Sequence, residues 1–225
     1  MKVSLLSWTP NPEQQVAAAA RLCYSDAGIE ALREQMRAGK AEKLVNKLLS
    51  MGHMSPLEHV SFTFGIEGVS RALSHQLVRH RIASYSQKSQ RYVAEAGFEY
   101  VVPPGIQANS EAASRYQKVM REIDRAYSEL AALVDKEDAR YVLPNACHTS
   151  LVVTMNCRSL HNFFEQRCCQ RAQWEIRRLA WKMLSLVREQ APILFANAGA
   201  RCDIDGTCNE GAMSCGRWQR MQKNE

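Results

Sequence analysis

Val60-Ser61-Phe62-Thr63-Phe64-Gly65-Ile66 alternates apolar with small or polar side chains, and Val69, Leu73 and Leu77 then recur at helical spacing. Successive side chains of a strand point to opposite faces, so the first stretch predicts a strand with Val60, Phe62, Phe64 and Ile66 on a core. The second predicts a helix from Val69 to about Arg79. Strand and helix therefore meet here with no long crossover, and the elements on either side show whether that order repeats.

Towards the N-terminus, Asn11 stands as a helix N-cap, Pro12 at the first helical position and Gln14 at the capping-box position of a helix running to about Tyr24. A second helix is predicted over 40–51, with Leu44, Val45, Leu48 and Leu49 on one face and Gly52 as its stop. Towards the C-terminus, 82–97 is polar and reads as a structured loop. Phe98-Glu99-Tyr100-Val101-Val102 reads as a strand stopped by Pro103-Pro104. Tyr116, Met120, Ile123, Tyr127, Leu130 and Val134 mark an amphipathic helix over 110–136. Leu151-Val152-Val153-Thr154-Met155 predicts a buried strand. Ser159 can cap a helix through Asn162, Phe163 and Arg167, extended to Glu189 before Pro192. Strands and helices do not alternate regularly. The fold class is accordingly α+β, a mixed or antiparallel sheet packed with long helices, rather than a doubly wound sheet. One domain is expected over 1–196, with a cysteine-containing tail over 197–225.

The 225 residues suffice for one substantial core, and 46% hydrophobic with 23% charged residues is ordinary for a globular protein. No run approaches the roughly 18 apolar residues of a membrane span. The first residues reach Thr9-Pro10-Asn11-Pro12 too soon for a signal peptide, so a cytoplasmic protein without membrane attachment is expected. Twenty-nine basic against 23 acidic residues leave +6, which suits an anionic partner without choosing between nucleic acid, nucleotide and phosphorylated cofactor. With no secretion signal, the eight cysteines are expected reduced. Cys23, Cys147, Cys157, Cys168 and Cys169 sit among apolar residues and read as small core hydrophobes.

The arginines cluster, and the densest cluster is Arg79-His80-Arg81-Ile82-Ala83-Ser84-Tyr85-Ser86-Gln87-Lys88-Ser89-Gln90-Arg91. Guanidinium groups bind phosphate through paired hydrogen bonds, and serine hydroxyls and loop amides complete such a shell. Gln76, three residues before Arg79 on the same predicted helix, adds an amide able to read a base edge. The flanking arginines should keep His80 neutral. Spacing alone leads no further than a phosphate-bearing ligand.

Arg79-His80-Arg81, seven intervening residues, then Ser89-Gln90-Arg91 resembles the signature of flavin-dependent thymidylate synthases. The likeness extends to His53-Met54-Ser55-Pro56-Leu57-Glu58-His59, to Ala139-Arg140-Tyr141-Val142-Leu143-Pro144, to Asn156-Cys157-Arg158-Ser159-Leu160-His161-Asn162-Phe163 with Arg167, and to Ala172-Gln173-Trp174-Glu175-Ile176. These blocks, in family order, cover most of 50–180.

The resemblance implies an enzyme that reductively methylates dUMP to dTMP. FAD would be the cofactor, and NADPH and methylenetetrahydrofolate the co-substrates, in a homotetramer with active sites at subunit interfaces. It places Arg79, His80, Arg81, His53, Ser55, Asn156, Arg158 and Asn162 on FAD, and Gln87 between flavin and nucleotide. Gln76, Arg79, Lys88, Ser89, Gln90, Arg91, Arg140 and Arg167 would hold dUMP. Arg167 is the catalytic candidate, because a fixed cation near N3 and its neighbouring carbonyl stabilises negative charge on the uracil ring. Ser89 reads as a nucleotide contact rather than a nucleophile, since no partner base is evident.

Ser86 and Gln87 stand where some family members carry Asn and an acidic residue, so no carboxylate role transfers to this chain. No Gly-x-Gly-x-x-Gly follows a strand. Cys202, Cys208 and Cys215 lie in the tail, outside the diagnostic blocks. Three thiolates with a fourth ligand can bind zinc, but no tight Cys-x-x-Cys pair is present and no metal site is assigned. Two rivals remain: an RNA- or nucleotide-binding protein using the basic loop without catalysis, and a zinc-stabilised interaction module built on the tail. Neither accounts for several family blocks in order, and no nucleic-acid partner is expected.

Overall fold

The computed structural model describes residues 1–36, 39–217 and 219. Its strands are β1 (Lys2–Trp8), β2 (Ser61–Ser70), β3 (Ser84–Gln87) and β4 (His148–Asn156). Its helices are α1 (Pro12–Leu22), α2 (Ile29–Gln35), α3 (Lys40–Ser50), α4 (Arg71–Leu77), α5 (Pro104–Gln107), α6 (Ser110–Ala131), α7 (Lys136–Ala139), α8 (Cys157–Arg167), α9 (Trp174–Gln190) and α10 (Arg201–Ile204). The strands form one antiparallel sheet in the order β1-β2-β4-β3, and the fold is α+β as expected. Among the described residues no helix is long and apolar enough to cross a membrane.

The chain divides into two compact units. The first comprises Met1–Lys2, Ile66–Arg79 and Tyr85–Val152. Phe98, Met120 and Cys147 are buried there, with Tyr100, Tyr116, Val119, Ile123 and Leu143 packed against them. The second comprises Val3–Gly65, His80–Ser84 and the chain from Val153 onward. In it α1 packs on α2 and α3, α8 packs on α9, and Phe195 meets Phe62 and Phe164 edge-on. Gly65 allows Leu6 of β1 close, since a Cβ there would lie 3.3 Å from its side chain.

The alternation over 60–66 is confirmed: Val60, Phe62, Phe64 and Ile66 are all fully buried. The strand nevertheless runs on to Ser70, so Val69 belongs to β2 and only 71–77 is helical. Ser70 ends the strand and starts the helix, its Oγ accepting from the Leu73 N–H at 3.0 Å. Asn11 is the N-cap residue of α1 with Pro12 at its start, as expected, but it lies in the left-handed region at φ 48° and its side chain makes no cap hydrogen bond. The helix over 40–51 holds, ending at Ser50 with Gly52 at φ 68°.

Other boundaries move. The polar 82–97 contains β3, which escapes periodicity because four residues cannot show it. Phe98–Val102 is not a strand: it pairs through one antiparallel bridge, Tyr100 with Cys147, made by the Val101 N–H on Ala146 O and the His148 N–H on Glu99 O. The long helix stops at Ala131, leaving Val134 outside it and 45% exposed. The predicted 151–155 strand is confirmed and extends to 148–156, with Leu151, Val153 and Met155 buried and Val152 facing outward. The helix expected to reach Glu189 is two: α8 ends at Arg167 and α9 begins at Trp174 behind Gln173, whose Oε1 accepts from Glu175 and Ile176. Asn156, not Ser159, caps α8, its Oδ1 accepting from the Ser159 N–H at 2.8 Å.

Candidate active site

The candidate residues divide between the units. Gln76, Arg79, Gln87, Lys88, Ser89, Gln90, Arg91 and Arg140 lie in the first, and His53, Ser55, His80, Arg81, Asn156, Arg158, Asn162 and Arg167 in the second.

In the first unit, β3 carries Gln87 beside β4, and the chain leaves the sheet with Lys88 donating its N–H to Ser150 O at 3.0 Å. The Gln87 amide donates to Ser74 Oγ at 3.0 Å and Thr149 Oγ1 at 3.1 Å, so its position is set from α4 and β4. Lys88 Nζ reaches Glu95 Oε2 at 3.1 Å. Glu95 is buried, and its Oε1 has no partner among the described residues. Gln90 is buried too, its amide donating to Cys147 Sγ at 3.6 Å. Ser89 Oγ accepts from the Arg91 N–H, a tight turn that throws Arg91 outward. There Arg91 Nε donates to Glu137 Oε2 at 2.9 Å, and Arg140 Nε donates to the Glu137 carbonyl at 3.1 Å. Both guanidiniums are thus held through Nε, leaving their terminal amino groups for an anion. Gln76 does not share a helix with Arg79 as expected, because α4 ends at Leu77; the Arg79 N–H instead closes a turn onto Gln76 O.

In the second unit, the one-turn 3-10 segment Ser55–His59 packs against α8. This contact brings Ser55 and Glu58 to the helix that carries Arg158 and Asn162, and Arg158 pairs with Glu58. Asn162 accepts from Gln166 on the next turn at 3.0 Å. His53 is half-buried after α3, its N–H on Leu48 O. At the far end of α8, Arg167 Nε donates to His80 Nε2 at 3.0 Å. His80 accepts at Nε2 and is therefore the neutral tautomer protonated at Nδ1. Phe163, one turn before Arg167, stands edge-on to the imidazole with centroids 4.9 Å apart. Burial, and secondly the Arg167 charge, hold the His80 pKa down at about 4. The expected neutrality is correct, but its cause is burial and Arg167 rather than Arg79 and Arg81. Burial also lowers the pKa of Arg167.

Sequence reasoning missed Glu58, Ser74, Glu137 and Thr149, the partners that aim the candidates. Only Glu58 lies inside a family block, and only Glu137, three residues before Arg140, is in helical register with a residue it holds. Among the described residues there is no group of three or more His, Cys, Asp or Glu side chains placed to hold a metal ion. All eight cysteines are free thiols. Cys147, Cys157 and Cys168 are buried as expected, and burial raises all three pKa values, to about 11 for Cys147 and about 12 for Cys168. Cys23 is exposed and Cys169 half-buried, against the expectation of core residues.

These side chains fit a phosphorylated cofactor. The guanidiniums of Arg79 and Arg81 are exposed and make no ion pair among the described residues, while Ser55 and Asn162 add hydroxyl and amide groups. Exposed cations and hydrogen-bonding neutral groups are the donor types a diphosphate requires.

The fold is α+β, and its exposed arginines are of a kind suited to phosphorylated ligands. The family model for thymidylate synthase complementing protein matches residues 4–193. A flavin-dependent thymidylate synthase of Geobacter sulfurreducens is 54% identical, covering 99% of this chain and 97% of its own. Those of Clostridium tetani (50%; 99% and 96%) and Nitratidesulfovibrio vulgaris (49%; 98% and 96%) are similarly close. The chain belongs to the flavin-dependent thymidylate synthase family.

Proposed function

We propose that this enzyme methylates dUMP reductively to dTMP in the cytoplasm, with methylenetetrahydrofolate as carbon donor and NADPH as the source of reducing equivalents. FAD, when bound and reduced, supplies the hydride. The observation that carries the reading is the Arg167–His80 hydrogen bond, which ties a residue assigned to the substrate to one assigned to the flavin.

Arg167, fixed through Nε, presents its terminal amino groups to the N3 edge and adjacent carbonyl of uracil. There a fixed cation stabilises the negative charge that develops as carbon 5 becomes nucleophilic. His80 can play its part only as a neutral acceptor, because a protonated imidazole has no lone pair for the Arg167 N–H. Arg91 and Arg140, both held by Glu137, take the dUMP phosphate with Ser89 and Arg79. Gln76 reads the base, and Gln87 stands between nucleotide and flavin. Lys88 and Gln90, already engaged by Glu95 and Cys147, fix the course of the loop carrying Ser89 and Arg91. Arg79, Arg81, Arg158, Ser55, His53, Asn156 and Asn162, with His80, hold FAD. The site is completed at the subunit interfaces of a homotetramer. The catalytic domain spans 1–196, and 197–225 forms a tail.

The test is a visible absorption spectrum of the purified protein before and after adding dUMP, followed by an anaerobic assay for dTMP. Flavin bands perturbed by dUMP, with dTMP formed, are expected. A protein that takes up neither FAD nor dUMP would refute the reading.

A further inference from the structure

Half of the cysteines gather at one cleft, and none of these thiols has a part in the methylation chemistry proposed above. Cys169, Cys202, Cys208 and Cys215 line a cleft of about 350 Å³, together with Arg167, Arg171 and Arg201. Cys169 lies in the turn after α8, and Cys202 lies on α10, which follows the buried Ala198 and Ala200. Two ion pairs bring these segments together. Arg201, next to Cys202, reaches Glu165, four residues before Cys169, at 3.4 Å. Arg171, two residues after Cys169, approaches Glu210 at 4.0 Å. Cys169 and Cys202 are thus bracketed by contacts joining the tail to the end of α8. Both are partly solvent-accessible. A metal is not the occupant this geometry suits, since the thiols do not converge as a ligand set.

We propose that Cys169 and Cys202 form a redox-active dithiol that closes to a disulfide on reaction with a low-molecular-weight disulfide such as glutathione disulfide, fastening the tail to the end of α8 beside Arg167. The Cys169 thiolate attacks one sulfur of the oxidant, releasing one glutathione thiolate and leaving a mixed disulfide. Cys202 then gives up its proton, attacks the Cys169 sulfur and expels the second glutathione. Two protein thiols and one disulfide become one protein disulfide and two thiols. Burial and then the neighbouring Asp203 raise the Cys202 pKa, Arg217 opposes them, and Cys169 and Cys215 add smaller upward contributions. A thiol that is less ionised at neutral pH suits the second, intramolecular step, where proximity compensates for a small thiolate fraction.

The experiment treats full-length protein with glutathione disulfide, alkylates the remaining thiols and maps non-reduced peptides by mass spectrometry. Two of the eight thiols should be lost, with a Cys169–Cys202 cross-link that dithiothreitol reverses. Cys202→Ser should stop at glutathione bound to Cys169. Eight reactive thiols after treatment, a cross-link of Cys202 to Cys215 instead, or an unchanged cross-linking pattern in Cys202→Ser would overturn the proposal. Mapping the wild-type protein decides the matter even if the variant fails to fold. Because Arg167 lines the same cleft, the oxidised enzyme should show a severalfold higher KM for dUMP. That consequence rests on the role assigned to Arg167 above, whereas the thiol count and the cross-link do not. An unchanged KM in cross-linked enzyme would refute the coupling.

Discussion

Arg167 and His80 make one device from two side chains, and each is tested differently. Arg167→Lys keeps the charge but loses the Nε donor and the planar fork, so it cannot both hold His80 and face the pyrimidine. Its kcat for dTMP formation should fall by about 10²-fold with the flavin spectrum retained; a rate within severalfold of wild type would dismiss the role. His80 is tested through pH. Its pKa is depressed from the ordinary 6.5 to about 4, so between those values the unfolded chain binds a proton at this position that the folded chain does not. Stability contributed by the neutral imidazole is therefore fully present above pH 6.5 and is lost as pH falls towards 4. With His80 partly exposed and screened, the loss is on the order of 1–2 kcal/mol. Thermal melts across this window should be less pH-dependent in His80→Gln, whose amide oxygen still accepts from Arg167 without titrating.

At the scale of elements, α8 does two jobs and its cap separates them. Asn156 supplies Oδ1 to the Ser159 N–H, and its amide nitrogen has no hydrogen bond among the described residues. Asn156→Ala should cost about 1 kcal/mol, seen as a lower melting temperature of about 2–4 °C in a chain of this size. Asn156→Asp keeps the acceptor, so its melting temperature should match wild type while FAD affinity falls. Equal FAD affinity in Asn156→Asp would remove this residue from the cofactor site. The loop after β3 depends on a second pair. Lys88→Met leaves the Glu95 carboxylate buried without its cation, which should destabilise the protein by about 2 kcal/mol or more. Adding Glu95→Gln should recover part of that loss by removing the buried charge. Urea denaturation of both variants measures it, and no recovery would place the damage in packing instead.

At the scale of the whole molecule, the candidate residues fall in two units, and the function proposed above has neighbouring copies complete the site. Sedimentation should therefore find a tetramer, and specific activity should fall on dilution as it dissociates. A monomer with concentration-independent activity would exclude a shared site. The partition of the chain was not legible beforehand. The two units interleave along the chain, with 80–84 grouped apart from its neighbours on both sides. Contiguous patterns do not report such exchanges, because each unit is defined by packing between segments distant in sequence.

What the sequence by itself determined is local or motif-borne. Alternation over 60–66 placed four core side chains correctly, since strand geometry dictates which residues share a face. The ordered arginine, histidine and serine blocks identified the family. Tertiary structure alone decided which groups face each other and where elements stop. Arg167 meets His80 across 87 residues, Arg158 meets Glu58 across 100, and Arg91 meets Glu137 across 46. It also parted α8 from α9 and carried β2 on to Ser70. Propensity and periodicity act within a few residues, whereas these outcomes depend on which donors and acceptors the packed chain brings together from distant segments.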